Sequence, residues 1–418
     1  MKLIKTPTKG MNDYLPAQAE LRDYVMDVIR DEYAKYGFSR IETPVVEHIE
    51  NLTGKDGGEN EKLIFKILKR GEKLENAADG ELCDSGLRYD LTLPLVRYYS
   101  NNSASLPMPF LALQTGPVFR ADRPQKGRFR QFTQCDIDII GDATPGAEIT
   151  LISATTSVLK RLGFSGFTVK INDRRLLRGA ALSCGFDADS LENVFITLDK
   201  ADKIGLDGVK EELLREGCPA DAVEKYMALY SSVTESPTAF AAQLGDETLA
   251  AAAELEELIE TASAVSEGSG LKFDPSLVRG MSYYTGTIFE ITMDGYGYSV
   301  GGGGRYDGMI AKFTGQKVPA CGFSLGFERI VGALADSGFT VPRAGEGTAI
   351  LVEKDIGKEE SRALYAEAAE MRARGERVLV TPKMKNAGFQ MKNLEAAGWK
   401  KFIVWGKNGA SRPAGAKQ

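Results

Sequence analysis

Histidine is nearly missing from this chain: among 418 residues there is one, His48. A lone imidazole invites a catalytic reading, yet a single surface or core histidine is the simpler account. The five cysteines (Cys83, Cys135, Cys184, Cys218 and Cys321) are scattered and odd in number, and no two have the spacing of a zinc or redox motif. That usage points to a reducing, cytoplasmic setting. No apolar run is long enough to span a membrane, so no membrane partner is expected. Met1 to Lys9 contains no hydrophobic signal core, and export is not expected either. The run Gly301–Gly304 is not a P-loop, because no Gly-Lys-Ser/Thr follows it. Net charge is −6, which argues against a general nucleic-acid-binding coat.

What is present suits a soluble enzyme of two or three domains with ample core. Charge is spread unevenly. Ala349 to Gln418 holds 14 Lys and Arg against 8 Asp and Glu, a net of +6, which leaves −12 for the rest. A basic C-terminal unit on an acidic body suits a polyanion touched locally, although a solvated basic face has the same composition. Lys383, Lys385, Lys392, Lys400 and Lys401 are the residues expected to meet such a polyanion. Leu21, Val25, Ile29 and Tyr33 recur every four residues and predict a helix stopped at Gly37. Residues 171–270, rich in Ala, Leu and Glu, predict a helical insertion. Gly, Pro and Ser mark a linker over 336–347. Strands at Ala349–Val352, Arg377–Val380 and Lys401–Trp405 should then alternate with helices at Lys358–Arg374 and Ala387–Ala397. This is a small α/β domain over 348–409, followed by a disordered tail at 410–418.

The densest chemistry runs from Phe119 to Phe132. Arg120, Arg123, Lys126, Arg128 and Arg130 lie close together with Asp122 as the one acid among them. Pro124 and Gly127 put them on a loop between two strands. Cations this crowded repel one another unless an anion or solvent relieves them, and arginine forks match phosphate oxygens. ATP is the obvious candidate anion; a solvated loop is the plain alternative. In Phe132–Ile140, alternation sets Gln134, Asp136 and Asp138 on one face and Cys135, Ile137 and Ile139 on the other. Such a polar face is either an exposed edge or the wall of a pocket for a ligand with an amine and a polar side chain. The adjoining arginine loop favours the pocket. Three more segments stand out: Leu277–Glu290, with Arg279 before a glycine and the phenols of Tyr283 and Tyr284; Gly301–Gly308, with Tyr306; and Cys321–Ile330, with Arg329 on a predicted helix. Each, taken singly, has a structural explanation.

In this order the segments resemble the histidine–tRNA ligases, class II aminoacyl-tRNA synthetases, over essentially the whole chain. Lys9–Asp13, Pro16 and Ile41–Pro44 resemble the family's opening and the class II dimer motif. Arg88–Pro94 resembles its amino-acid-binding strand, and the arginine loop its second motif. Arg279–Glu290 is similar to the family's signature segment, and Arg329 sits in the third motif. The resemblance implies an α+β fold: a six-stranded antiparallel sheet flanked by helices over 1–335, interrupted at 171–270, with an anticodon-binding-like α/β domain after the linker. It implies activation of L-histidine with ATP and transfer to tRNA(His) by a homodimer. Mg2+ is implied as cofactor, with ligands that the sequence leaves unknown.

The resemblance also implies residue roles. Arg120 and Arg279 are catalytic, Arg120 on the α-phosphate and Arg279 near both the carboxylate and the α-phosphorus. Arg128, Arg130 and Arg329 face the outer phosphates, and Phe132 stacks on adenine. Asp90, Thr92 and Gln134 hold the α-amino group, while Asp138 and Tyr284, with Tyr306, bracket the imidazole. Ser282 replaces an acid often found in the signature, Asp122 replaces a commoner Glu, and the C-terminal domain should lack a last strand. The rival of another class is a non-catalytic, synthetase-like regulatory subunit of ATP phosphoribosyltransferase. That protein would shed loop arginines and the C-terminal domain, and this chain retains both.

Overall fold

The computed structural model describes residues 3–53, 59–78, 81–124, 127–231, 236–266, 270–278, 283–342 and 347–411. Lys126, Arg279 and Ser282, on which several expectations fell, lie outside the described residues. The chain forms two compact units, one of Met1–Tyr14 and Arg22–Gly338, the other of Leu15–Leu21 and Phe339–Gln418.

Strands β1 (Ser39–Ile41), β2 (Val46–His48), β3 (Lys66–Leu68) and β4 (Cys83–Leu87) precede a long hairpin of β5 (Phe110–Phe119) and β6 (Gln131–Ile140). Strands β7 (Phe167–Asp173), β8 (Gly270–Phe273), β9 (Thr287–Met293), β10 (Ser299–Arg305) and β11 (Ala320–Leu325) follow. Among the described residues the main sheet runs β1-β5-β6-β11-β10-β9-β7-β8. Its inner strands, β5 through β7, pair antiparallel, while β1 and β8 add on parallel at the two edges. The expected six-stranded antiparallel sheet is therefore present, widened by one parallel strand at each side. Strands β2, β4 and β3 form a small second sheet.

Local sequence explains most of these elements. In β6, Cys135, Ile137 and Ile139 are buried on the apolar face, as their alternation requires. The first helix spans Pro16–Lys35, with Val25, Ile29 and Tyr33 fully buried, and Gly37 at φ 87° turns the chain out of it. The insertion becomes helical at Arg174 rather than at 171. Val169 and Ile171 are buried strand residues in register with Ile291 and Phe289, and Asp173 starts the next helix by accepting from the Arg175 N–H at 2.7 Å. Because β7 and β8 are neighbours, the helical excursion leaves and rejoins the sheet at one edge. Strand β4 stops at Leu87, so Arg88–Leu91 is a turn, not a strand, and Thr92 opens the helix Thr92–Asn102. Asp90 makes the turn by accepting from the Leu93 N–H at 3.3 Å.

The C-terminal unit holds β12 (Gly347–Val352), β13 (Val378–Pro382), β14 (Trp399–Gly406) and β15 (Gly409–Ser411), with helices Lys358–Ala373 and Ala387–Ala396. Ile350, Leu364, Ala368, Met371 and Trp405 make its core. Ala410 and Ser411, expected to begin a disordered tail, instead form β15, a strand after β14 where none was expected; residues 412–418 of that tail lie outside the described residues. Gly409, at φ 80°, closes a tight turn that pairs Ala410 with Trp405. Lys385, Lys392, Lys400 and Lys401 are exposed, as are the side chains of Met384 and Phe389, whereas Lys383 is paired with Glu353 at 2.8 Å.

The main sheet is tightest where β10 meets β11. A Cβ at Gly303 would overlap the carbonyl oxygen of Gly322, and one at Gly322 would overlap the Asp138 carboxylate. Gly303→Ala should therefore destabilise the protein by about 3 kcal/mol, the upper end for overpacking a core. Chemical denaturation of the two proteins reads this directly, and equal midpoints would mean that the strands separate freely.

Candidate active site

A cavity of about 610 Å³ opens on the face of the main sheet. Gln134, Asp136 and Asp138 of β6 line it, together with Gly301–Gly303 of β10 and Gly322–Leu325 of β11. Its remaining walls include Asp90, Thr92, Arg120, Arg128, Phe132, Tyr284, Tyr306 and Arg329. The structure thus brings together every described residue expected at the site except Arg130. That side chain donates from Nε to the Asp122 carbonyl at 3.1 Å and packs its stem beside Gly10. His48 is exposed on β2 and does not line the cavity.

One end of the cavity is acidic and buried. Asp138 accepts a hydrogen bond from the Tyr306 hydroxyl at 2.6 Å. Burial pushes its carboxyl up to about 7, with the Tyr306 bond opposing and the charge of Asp90 adding. Burial, then the charge of Asp138, holds Asp136 well above the usual carboxylate range. Asp90 is raised too, again by burial, against its bond from Leu93 and the charges of Arg120 and Arg88. Tyr283 packs edge-on against Tyr284 and Tyr306, with centroids 4.8 and 6.0 Å away.

The turn carrying Asp90 and Thr92 is braced from behind. Arg88 donates to the carbonyls of Pro117 and Thr43, both at 2.9 Å. Gln114, 2% exposed, accepts from Thr43 Oγ1 at 3.0 Å and donates to the Leu91 carbonyl at 3.0 Å. Neither brace was foreseen; the one hint is that Gln114 directly follows the apolar run Phe110–Leu113 of β5.

The other end is basic. The Arg120 N–H donates to the Arg130 carbonyl at 2.9 Å and closes the arginine loop, while its Nε donates to the Tyr89 carbonyl at 2.9 Å. The guanidinium lies 5.1 Å from the Phe132 ring centroid. Arg329, on the helix Phe327–Asp336, donates to the Ser299 carbonyl and lies 5.2 Å from the Tyr298 ring. Arg128 is exposed on the loop. Glu328, beside Arg329, also went unrecognised: it accepts from the Thr133 N–H at 3.0 Å and from both terminal nitrogens of Arg22, which is sandwiched between the rings of Tyr14 and Phe327. This pair ties the first helix to the helix of Arg329. Among the described residues no group of three His, Cys, Asp or Glu side chains is placed to hold a metal ion alone.

Comparison with known proteins agrees with this geometry. Residues 10–330 match the family described as histidyl-tRNA synthetase. A histidine–tRNA ligase of Leifsonia xyli is 43% identical over 415 residues, covering 95% of this chain and 94% of the relative. The solved histidyl-tRNA synthetase of Nostoc sp. PCC 7120 superposes with a TM-score of 0.80 at 26% identity, covering 97% of this chain and 93% of that one. A Bacillus halodurans structure, described as an ATP phosphoribosyltransferase regulatory subunit/histidyl-tRNA synthetase, shares the fold with a TM-score of 0.78 at 23% identity, covering 97% of this chain and 99% of that one. The basic loop, the acidic pocket and these matches have one explanation: the chain belongs to the histidyl-tRNA synthetase family.

Proposed function

We propose that this protein activates histidine with ATP and transfers it to tRNA(His), working in the cytoplasm as a homodimer. The observation that carries the reading is one strand, β6, with an arginine-bearing loop at one end and the buried Asp138–Tyr306 pair at the other. Phe132 and Asp138 are six residues apart, about 20 Å along a strand, which spans an amino acid joined to a nucleotide. No described helix is long and apolar enough to cross a membrane. The regulatory-subunit reading is not favoured: Arg120, Arg128 and Arg329 all line the cavity, and the C-terminal α/β unit is present.

The chemistry follows from the charge layout. A carboxylate oxygen of histidine attacks the α-phosphorus of ATP, the bond to the β-phosphate oxygen breaks, and pyrophosphate leaves. A hydroxyl of the terminal tRNA ribose then attacks the acyl carbon and releases AMP. Two anions must meet in the first step, so a cation seeing the transition-state charge more strongly than the ground state lowers the barrier. Arg120, anchored by Tyr89 and Phe132, is suited to the α-phosphate; Arg279 takes the same task by resemblance. Asp90, Thr92 and Gln134 hold the amine. Asp138, Tyr284 and Tyr306 bracket the ring, Phe132 stacks on adenine, and Arg128 and Arg329 face the outer phosphates. Magnesium, when bound, neutralises those phosphates. The phosphates would supply much of its shell, and a cavity carboxylate such as Glu290 the rest.

The first test is substrate-dependent exchange of pyrophosphate into ATP. Histidine alone among the amino acids should support it, and equal exchange with several amino acids would sink the assignment. Asp138→Asn keeps the shape and removes the charge. It should raise KM for histidine at least about 10-fold, the scale for a hydrogen bond to a charged group, with KM for ATP little changed. A parallel rise in both would remove Asp138 from the amino-acid pocket.

The same variant reports on ionisation. Asp138 titrates at about 7 when folded against 3.8 ordinarily, so its ionisation costs the fold nothing below the lower value. The cost grows as pH rises to the upper value and is constant beyond it. Without ligand, Asp138→Asn should melt above the parent at pH 8, with the gap closing towards pH 4. A gap that is independent of pH contradicts this. Finally, replacing the exposed Lys385 and Lys392 by Ala should raise KM for tRNA and lower its salt slope by about 1 per lost phosphate contact, with exchange untouched. Unchanged charging would assign the basic surface elsewhere.

A further inference from the structure

Two buried acceptor atoms on β6 have no hydrogen-bond partner among the described residues: Oε1 of Gln134 and Oδ1 of Asp136. Such orphans are uncommon in folded proteins, because each has given up water without replacement. Both residues line the cavity, and Asp136 is only 5% exposed. The two are coupled. The Nε2 of Gln134 donates to Asp136 Oδ2 and to Ser324 Oγ, each at 3.3 Å. Turning the amide over would set its oxygen against the carboxylate, so Asp136 decides which end of Gln134 is left over, and that end is an acceptor. The surroundings deepen the deficit of positive charge. Asp138 and Asp90 both repel a negative charge on Asp136, and Arg120 is the cation that opposes them. A wall with two unsatisfied acceptors and three neighbouring carboxyl groups is complementary to a small cationic donor.

We propose that Asp136 is a further amino-acid-binding residue, whose Oδ1 receives the α-ammonium group of the substrate together with Oε1 of Gln134. The inference rests on the function proposed above for the substrate's identity. An ammonium carries three donors: Asp136 and Gln134 take two, and the third is left to Asp90, one of whose oxygens holds the Leu93 N–H, and its neighbour Thr92. Asp138, already bonded by Tyr306, is left for the ring. The two aspartates of one strand therefore divide the substrate between them: Asp136 takes the amine and Asp138 the imidazole. A purely structural Asp136 would have both oxygens satisfied, and among the described residues one of them is not.

The test uses the full chain and its Asp136→Asn variant in histidine-dependent pyrophosphate exchange, with two competitors. L-Histidinol keeps the amine and the ring; imidazole-4-propionate keeps the ring and the carboxylate but has no amine. The variant should raise KM for histidine by about 30-fold or more, the scale for breaking one partner of a buried charge pair, and weaken histidinol by a similar factor. Inhibition by imidazole-4-propionate and KM for ATP should stay within about threefold of the parent, since neither ligand offers an amine to a buried counter-charge. An unchanged KM for histidine overturns the inference, and so does equal weakening of both competitors, which would mark general damage to the pocket. If Asp136→Asn does not fold, Asp136→Ser, which still offers Gln134 a small acceptor, is read by the same criteria. A parent protein that shows no exchange with histidine overturns the proposed function and this inference with it. Normal exchange by the parent alongside an unaffected variant overturns this inference alone.

Discussion

Three carboxyl groups, Asp90, Asp136 and Asp138, are buried at one end of a single cavity, and the rest of the structure answers to that fact. Buried carboxylates lose their hydration, and like charges close together cannot all ionise cheaply. Burial raises all three above the ordinary carboxylate range, and repulsion by a neighbouring aspartate adds at Asp136 and Asp138. The packing around the cluster has to hold its geometry against that cost. The glycines of β10 and β11 supply that rigidity: with no side chains between them, the strands close on each other and on the Asp138 carboxylate. The brace of Arg88, Thr43 and Gln114 does the same for the turn that carries Asp90.

The cations sit where they cannot cancel the acids outright. Arg128 is exposed on the loop, and Arg120 and Arg329 are drawn aside by the carbonyls of Tyr89 and Ser299 and by aromatic faces. Arg88, the one guanidinium locked among the carbonyls of the brace, is spent on structure. The cavity is consequently polar along its length, acidic at one end and basic at the other. An amino acid with its ammonium leading and a nucleotide with its phosphates leading can enter in only one relative orientation. In the proposed function that orientation sets their anionic ends facing each other across Arg120, so the sheet would hold the reacting groups in order before any bond changes.

Much of this was legible in the sequence wherever side chains obey a simple period. The alternation Gln134-Cys135-Asp136-Ile137-Asp138 gave away a two-faced strand, and the four-residue spacing of Val25, Ile29 and Tyr33 a helix. The crowding of Arg120, Arg123, Arg128 and Arg130 marked a loop that wants an anion. What failed depended on neighbours distant in the chain. Arg130 looked equivalent to Arg128, but its stem is held beside Gly10 and turned from the cavity. Ile171 belonged to a helical composition window, yet its pairing with β9 makes it strand. Arg88–Leu91 turns because the Asp90 carboxylate accepts the Leu93 N–H, and β15 exists because β14 offers it an edge. The Arg22–Glu328 pair joins residues 306 positions apart, and no local pattern announces it.

The same buried acids bear on what the helical excursion between β7 and β8 needs to do. Some synthetases require a second site to remove wrong products, chiefly where the correct side chain is small and apolar and differs from its competitors by a methyl group. Here discrimination is of the other kind. On the proposed assignments, a ligand that cannot donate to Asp138 would leave a buried carboxylate unpaired, and one without an amine would leave Gln134 and Asp136 unsatisfied. Sites built on such polar contacts reject analogues by about 10⁴-fold or more without editing. On the proposed assignments, the helical insertion need not serve as a proofreading site. Its attachment at one sheet edge, with Asp199 at the cavity wall, is compatible under the proposed function with contact to the acceptor end of the tRNA, which must reach the same cavity for the second step.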